Sequence, residues 1–142
     1  MSWYKSKIKR CPEDDQFSKF IRERDGWKCV YGFKCFKAID YTDDKGQLDC
    51  SHCFKRGKWS TRFDPENCDA ACKKCHHFVE NDKDGQKTLE EWKKKQLGED
   101  GFKKLFIRAN TSDLTMRNLP LVRLYIKQLM SELKQNGIIK NN

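Results

Sequence analysis

The apolar positions near the start of the chain predict a helix, because they recur every three or four residues, the period of one helical face. These positions are Phe17, Phe20 and Ile21. Asp14 or Asp15 can cap this helix, and Gly26 can end it, since glycine readily adopts the backbone conformation that terminates helices. We therefore expect the first helix to end just before Cys29.

Between residues 27 and 54 the pattern changes to short segments separated by turns. Residues 29–35 contain a glycine between two cysteines and are typical of a knuckle, and residues 43–46 predict a turn. A strand over residues 48–52 follows. We expect a hairpin in which His52 lies near the end of the second strand.

The chain then predicts a loop and a second helix. Residues 54–66 combine basic and aromatic side chains and are typical of a loop. Beyond Asn67, residues 72–80 begin with two cysteines and two histidines, a pattern that suits a zinc knuckle leading directly into a helix.

The remainder of the chain predicts helices. Residues 88–91 (Thr-Leu-Glu-Glu) have the form of a capping box, which marks a helix start, and helical spacing resumes after Gly98. A longer apolar stripe ends at Asn136-Gly137 and consists of Val122, Ile126, Leu129 and Leu133. Such a stripe is typical of a helix that packs on a core or forms a homodimer.

Size and composition favour one domain. The 142 residues, with 37% hydrophobic and 12% aromatic side chains, suffice for a modest core with a helical extension. No run approaches the roughly 18 apolar residues of a membrane-spanning helix. The first five residues (Met-Ser-Trp-Tyr-Lys) also lack the apolar segment of a signal peptide, so we expect a soluble cytoplasmic protein without a membrane partner.

The charge favours a polyanionic partner. Thirty Lys and Arg residues against 21 Asp and Glu give a net charge of +9. Each phosphate that such a surface neutralises releases condensed counterions, so nucleic acid is the leading candidate.

Eight cysteines without a secretory signal favour metal binding or simple burial over disulfides. All three histidines, at positions 52, 76 and 77, lie in the segment that also carries most of the cysteines. A metal site or a catalytic site is therefore expected in this segment.

Cys72 and Cys75 form half of a zinc site, because two intervening residues let both sulfurs reach one tetrahedral ion. The second half is either Cys29 with Cys35 or Cys50 with Cys53, and the closer spacing of the latter pair is the more usual zinc pattern. We favour Cys29 and Cys35, because a zinc clamp on both sides of His52 would restrict the strand that presents this histidine.

The other cysteines have simpler interpretations. We expect buried small apolar side chains at Cys50, Cys53 and Cys68, and a free thiol at Cys11 in the polar start.

Three segments together resemble the HNH (ββα-metal) endonucleases, particularly the phage NinG-like recombination endonucleases. They are Leu-Asp-Cys-Ser-His at 48–52, Ser-Thr-Arg-Phe-Asp-Pro-Glu-Asn at 60–67, and Cys-Lys-Lys-Cys-His-His-Phe at 72–78. The likeness starts at residues 20–25 and continues through 98–111, covering about two thirds of the chain. Each element is weak alone, and the combination is specific.

The resemblance implies an α+β fold. A small ββα-metal module with a four-cysteine zinc site would be flanked by an N-terminal helix and a C-terminal helical extension. The corresponding boundaries are an N-terminal arm at 1–13, the zinc-stabilised nuclease module at 14–82, and the helical extension at 83–142. A phage-encoded protein of this kind would act in the host-cell cytoplasm.

The resemblance also implies roles for individual residues. His52 would be the general base that activates water, using a neutral imidazole near its usual pKa of about 6.5, and Asn67 would brace the loop and orient His52. His76 would bind a catalytic divalent cation, Mg²⁺ or Mn²⁺. The implied structural zinc ligands are Cys29, Cys35, Cys72 and Cys75.

The chain departs from this family at Ser51, where many members have an Asp or His metal ligand before the general base. Asp49 shares a strand face with Ser51, and Glu80 lies one helical turn beyond His76, so either carboxylate can complete the metal shell. His77 points roughly 100° away from His76 and suits packing or phosphate contact.

The loop between His52 and Asn67 predicts a DNA contact. It carries four cations beside the expected scissile bond, namely Lys55, Arg56, Lys58 and Arg62. The chain is thus expected to nick or cleave DNA. The alternatives are a non-catalytic zinc-containing DNA-binding module and a protein-binding zinc scaffold with a helical tail.

Overall fold

A computed structural model describes residues 9–35, 47–112 and 115–137, and it shows a mixed α+β architecture that is mostly helical. A small two-stranded sheet lies among the helices. The elements in chain order are α1 (Pro12–Arg24), β1 (Leu48–His52), α2 (Trp59–Arg62), β2 (Cys68–Cys72), α3 (Lys73–Asn81), α4 (Lys83–Ala109) and α5 (Leu119–Gln135). Short 3-10 turns cover Pro65–Asn67 and Thr115–Arg117.

Helix α1 starts earlier than the sequence predicts. Its cap is Cys11, Pro12 occupies the first helical position, and the Asp14 carboxylate accepts a hydrogen bond from the Cys11 N–H at 2.8 Å. The predicted cap at Asp14 or Asp15 is therefore wrong: proline suits the first turn, where its missing N–H is not needed. The predicted end is confirmed, since Gly26 follows the helix with φ of +69°.

The predicted strand at residues 48–52 is present, and among the described residues its partner is a later segment of the chain, whereas residues 36–46 lie outside the described part. β1 pairs in antiparallel register with β2, so that Leu48 faces Cys72 and His52 faces Cys68. Every residue of β2 is buried, and this strand therefore lacks the alternation of apolar and polar residues by which a strand is recognised. The predicted turn at residues 43–46 lies outside the described residues.

Helix α3 follows β2 without a loop. Cys72 caps it, and its sulfur accepts a hydrogen bond from the Cys75 N–H at 3.5 Å, which confirms the predicted knuckle leading into a helix. Helix α4 begins at Lys83 with an Asp82 cap, five residues before the predicted start. The Thr88 hydroxyl instead donates to the Asp84 carbonyl inside the helix, so the predicted capping box at residues 88–91 is wrong.

The contact between α3 and α4 depends on Gly85, which is buried in the first turns of α4. A Cβ atom at this position would lie 1.9 Å from the Phe78 carbonyl oxygen. Because the opposing atom belongs to the backbone, no side-chain rotation can relieve the overlap.

We expect Gly85→Ala to lower the free energy of unfolding by about 2 kcal/mol or more, because the two helices must separate. Urea unfolding of purified protein measures this loss. Gly101→Ala, in the same helix, is the matched control: its Cβ would meet only the Leu97 side chain at 3.1 Å. A Gly85→Ala protein as stable as the Gly101→Ala protein would contradict the proposed close contact.

The stripe predicted for the C-terminal helix packs within the chain. Val122, Ile126 and Leu133 are buried in the main apolar cluster, and Leu129 packs against it. Helix α5 contacts α1, and Arg123 donates to the Glu13 carboxylate across this contact at 3.1 Å. The packing alternative is thus realised for most of this stripe. In the part of the chain that the structure describes, no helix is both long and apolar enough to cross a membrane.

A buried polar group fixes β2 from both sides. Asp69 accepts a hydrogen bond from the Tyr31 hydroxyl at 3.2 Å and pairs with Lys93 of α4 at 2.7 Å. Arg24 of α1 donates to the Cys68 carbonyl at 2.7 Å. These contacts hold the sheet between the first helix and α4.

Candidate functional site

Four cysteines converge where the knuckle meets the start of α3. The sulfurs of Cys29, Cys35, Cys72 and Cys75 all lie within 4.8 Å of one another, and those of Cys35 and Cys75 are 3.6 Å apart. In a tetrahedral site with zinc–sulfur bonds of about 2.3 Å, the sulfurs lie about 3.8 Å apart. The cluster is therefore compatible with a structural zinc site.

Backbone amides around the cluster prepare it for negative charge. Burial raises the pKa of the Cys29 thiol, but N–H groups of Gly32, Cys72 and Tyr31 outweigh this effect and hold the pKa below its ordinary value. Cys75 accepts a hydrogen bond from the Lys34 N–H at 3.3 Å. At Cys35, burial and the neighbouring sulfurs raise the pKa well above the usual range. Several thiolates here therefore need a cation to be stable together.

The pairing favoured from the sequence is the one that the structure brings together. Cys53 belongs to neither of the two groups of converging donor atoms among residues 9–35, 47–112 and 115–137. Cys68 is buried as predicted, while Cys50 and Cys53 are only partly buried. Cys11 is a partly exposed free thiol.

His52 lies at the end of β1 and contacts the backbone of the following loop. Its Nε2 is 3.0 Å from the Arg62 carbonyl oxygen. A carbonyl can only accept, so Nε2 carries the proton in the neutral ring and Nδ1 carries the lone pair. Burial lowers the pKa of His52 to about 4, which corrects the expected value near 6.5. The ring is therefore neutral at physiological pH, as predicted, but less basic.

Asn67 closes the loop between the strands. Its side-chain amide donates to the carbonyls of Phe54 at 2.9 Å and Thr61 at 3.0 Å, and its side-chain oxygen accepts from the Phe54 N–H at 2.8 Å. The residue is fully buried. Asn67 thus joins both ends of the loop whose Arg62 carbonyl contacts His52, the bracing position that was expected of it.

Arg62 differs from the prediction that it contacts DNA. Its side chain is 1% exposed and forms an ion pair with Asp14 of α1. Although burial raises the pKa of Asp14, hydrogen bonds from Arg62 and Cys11 lower it to about 2. The guanidinium also lies over the Trp59 ring at 4.2 Å. An arginine so enclosed has no surface to offer a phosphate, and it instead fixes the end of α2 against α1.

The other cations of the loop remain near the surface. Lys55 and Lys58 are exposed, and Arg56 is partly buried. The Lys58 ammonium donates to the Asn110 side chain at 3.2 Å, and the Ser60 hydroxyl donates to the Arg108 carbonyl at 2.6 Å. The loop is thereby attached to the end of α4.

His76 lies between two carboxylates. Its Nδ1 is 2.9 Å from Asp49 on β1, and its Nε2 is 2.8 Å from Glu80 one turn along α3. Burial lowers the pKa of His76, but the two carboxylates outweigh this effect and raise it above its ordinary value. The three proposed ligands of the catalytic cation, His76, Asp49 and Glu80, are thus adjacent. They form a hydrogen-bonded triad in which the two carboxylates contact different nitrogens of the His76 ring.

His77 is exposed and hydrogen-bonded to Asn81 at 3.1 Å, away from this triad. Burial is the main cause of the low pKa of His52, and a positive charge on the His76 ring lowers that pKa further. The general-base candidate and the cation-binding candidate therefore lie within electrostatic reach of each other.

A second group of converging donors was missed by sequence reasoning. Cys50, His52 and Cys68 place their donor atoms within 4.8 Å of one another. The spacing of Cys50 and His52 is a usable signal, because alternate residues share a strand face. The third member could not be found without knowing that β1 pairs with β2.

The order of elements around these residues is strand, basic loop, strand and helix. No protein-family model matches the chain, and no curated protein or solved structure is significantly similar to it. The resemblance expected from the sequence therefore rests on the sequence motifs alone, above all His52, Asn67 and His76 with the Cys72–Cys75 pair.

Proposed function

We propose that this chain is a metal-dependent endonuclease of the HNH (ββα-metal) class that hydrolyses DNA phosphodiester bonds. The observation that carries the proposal is the arrangement of His52, Asn67 and His76 on the hairpin formed by β1 and β2 and on the helix that follows it. A zinc-binding scaffold has little need of two histidines beside a cationic loop.

His52 is the general base in this proposal. The Arg62 carbonyl holds its ring through Nε2, so the lone pair of Nδ1 accepts the proton of the attacking water. A pKa of about 4 makes the free imidazole a weak base. The negative charge of a bound phosphodiester beside the ring favours the protonated form and raises that pKa during the reaction.

His76 would hold the catalytic cation together with Asp49 or Glu80. One imidazole nitrogen and one carboxylate would then form part of a donor set that Mn²⁺ or Mg²⁺ accepts. The carboxylates occupy opposite nitrogens of the ring, so a cation bound at either nitrogen would replace the hydrogen bond and the proton there. When bound, it would supply positive charge that stabilises the leaving oxygen.

Two further parts of the chain support this chemistry. A zinc ion at the four-cysteine cluster would join the knuckle before β1 to the start of α3, and would thereby fix His76 relative to the hairpin. The exposed Lys55 and Lys58 lie on the loop between His52 and Asn67, where phosphate contacts would orient the DNA backbone.

One observation favours a second candidate, a non-catalytic zinc-containing DNA-binding module. Both ring nitrogens of His76 are hydrogen-bonded, and the raised pKa of this ring favours an imidazolium that pairs with carboxylates. In that case His76 stabilises the junction of β1 with α3 and binds no cation. Cleavage activity separates the two candidates.

The test is incubation of purified protein with supercoiled plasmid, with EDTA, Mg²⁺ or Mn²⁺. We expect nicked or linear product with either metal and none with EDTA. His76→Ala should lose about 10²-fold or more of the rate, with partial recovery at raised metal concentration, since second ligands remain. His77→Ala, the exposed neighbour, is the matched control and should cleave normally. Equal rates for the two variants would exclude His76 as a ligand.

A further inference from the structure

Two cysteine thiols on the paired strands β1 and β2 lie close to His52, the proposed general base. His52 faces Cys68 across the two strands, and Cys50 lies two residues before His52 on the same strand face. All three donor atoms lie within 4.8 Å of one another. This group shares no member with the four-cysteine cluster.

We propose that Cys50, His52 and Cys68 form a second metal site, which takes one Zn²⁺ or chemically similar thiophilic ion. Two thiolates and one imidazole are the protein donors of known three-ligand zinc sites, in which the fourth position holds water or an exogenous ligand. Hard cations such as Mg²⁺ prefer oxygen donors and do not compete for this set.

The hydrogen bonding of His52 supports coordination through Nδ1. A metal-bound histidine usually donates its other ring N–H to a backbone carbonyl or a carboxylate, which fixes the ring and its tautomer. His52 has this arrangement, since Nε2 contacts the Arg62 carbonyl at 3.0 Å. The ring is therefore held with its lone pair on the nitrogen that remains available to a metal.

The three ligands of the proposed site differ in exposure. Cys68 is fully buried in β2, while Cys50 and His52 retain partial exposure. All three ligands lie on the two paired strands, so the separation of their backbones is fixed by the register. An ion can enter from the exposed side without opening the sheet.

Metal binding at this site would inhibit DNA cleavage. This inhibition rests on the proposed nuclease function, whereas the metal binding itself does not. Coordination takes up the Nδ1 lone pair, which the same ring needs to accept a proton from water. His52 therefore cannot bind the ion and act as the general base at the same time. A thiophilic ion bound here inhibits DNA cleavage.

The binding test adds Co²⁺ to the zinc-loaded protein after removal of weakly bound metal. We expect one further equivalent, with the thiolate-to-cobalt absorption that reports sulfur ligation. Cys68→Ala should lose this equivalent and keep the structural zinc. Cys50→Ala, at a partly exposed position, should give the same result. Cys53→Ala, which removes a neighbouring thiol outside the group, should bind as the natural chain does.

Absence of thiolate-bound cobalt in the natural chain overturns the site, as does normal binding by both Cys50→Ala and Cys68→Ala. Loss of binding in Cys53→Ala overturns the ligand set. A second arm measures plasmid cleavage with Mg²⁺ during the same titration. The natural chain should be inhibited as the equivalent fills, whereas Cys50→Ala, relative to its own cobalt-free rate, should not. A chain that binds cobalt but never cleaves DNA disproves the nuclease and leaves the metal site intact.

Discussion

Replacement of His52 by alanine should abolish metal-dependent plasmid cleavage. A general base contributes about 10²- to 10⁴-fold to the rate, and we expect a loss in this range or down to background. The substitution removes a partly buried neutral ring, because the pKa of His52 is about 4. The net charge at neutral pH does not change, so DNA affinity should remain near that of the natural chain. Initial nicking rates and filter binding measure the two quantities.

Two controls show whether the loss is chemical. The variant should retain one zinc per chain and the circular dichroism of the natural protein, because His52 is not part of the four-cysteine cluster. Added imidazole should restore part of the rate, since the vacated site lies at a partly exposed strand end. A His52→Ala protein that cleaves at a near-normal rate would remove this residue from the mechanism.

The second large effect concerns the structural zinc. The double variant Cys29→Ser/Cys35→Ser should lose stoichiometric zinc and unfold or aggregate, because the binding energy of such a site is also folding energy. Cys50→Ser/Cys53→Ser should keep the zinc that resists EDTA washing and remain folded, while losing packing and the proposed second metal site. Atomic absorption of washed proteins measures the zinc, and circular dichroism measures the fold.

The comparison of these two double variants is decisive because it removes two thiols in each case. Zinc lost only from the Cys50→Ser/Cys53→Ser protein would assign the structural ion to the pair that brackets His52. In that event His52 would lie within a zinc knuckle, and its assignment as general base would fail with it.

Sequence reasoning predicted the parts of the site that depend on residue type and spacing. The spacing of Cys72 and Cys75 indicates half of a zinc site. Cys29 and Cys35 were chosen as the other half because His52 has to remain accessible. β1 was recognisable because the residues before it have a sequence that predicts a turn. In contrast, β2 is buried throughout, and a uniformly buried strand carries no periodic pattern.

Predictions from local motifs were wrong where another residue of the chain provided a competing interaction. Thr88 has the form of a cap, but Asp82 can accept from the Asp84 N–H and starts the helix earlier. Arg62 has the composition of a phosphate contact, but its partner Asp14 is 48 positions away and no local pattern links them. Pairings over such distances are decided by packing, which a single sequence does not display.

The pair formed by Arg62 and Asp14 also sets the smallest fragment that can be excised as a working unit. The peptide group whose carbonyl contacts His52 belongs to Arg62, and the Arg62 side chain also donates to the Lys9 carbonyl at 3.1 Å. At its other side the loop is tied to α4 through Ser60 and the Arg108 carbonyl. A minimal hairpin with α3 therefore loses Asp14, Lys9 and Arg108 together, whereas a fragment cut at residues 14 and 82 keeps Asp14 but loses the Lys9 carbonyl and α4. A fragment that retains all of these contacts extends from residue 9 to the end of α4.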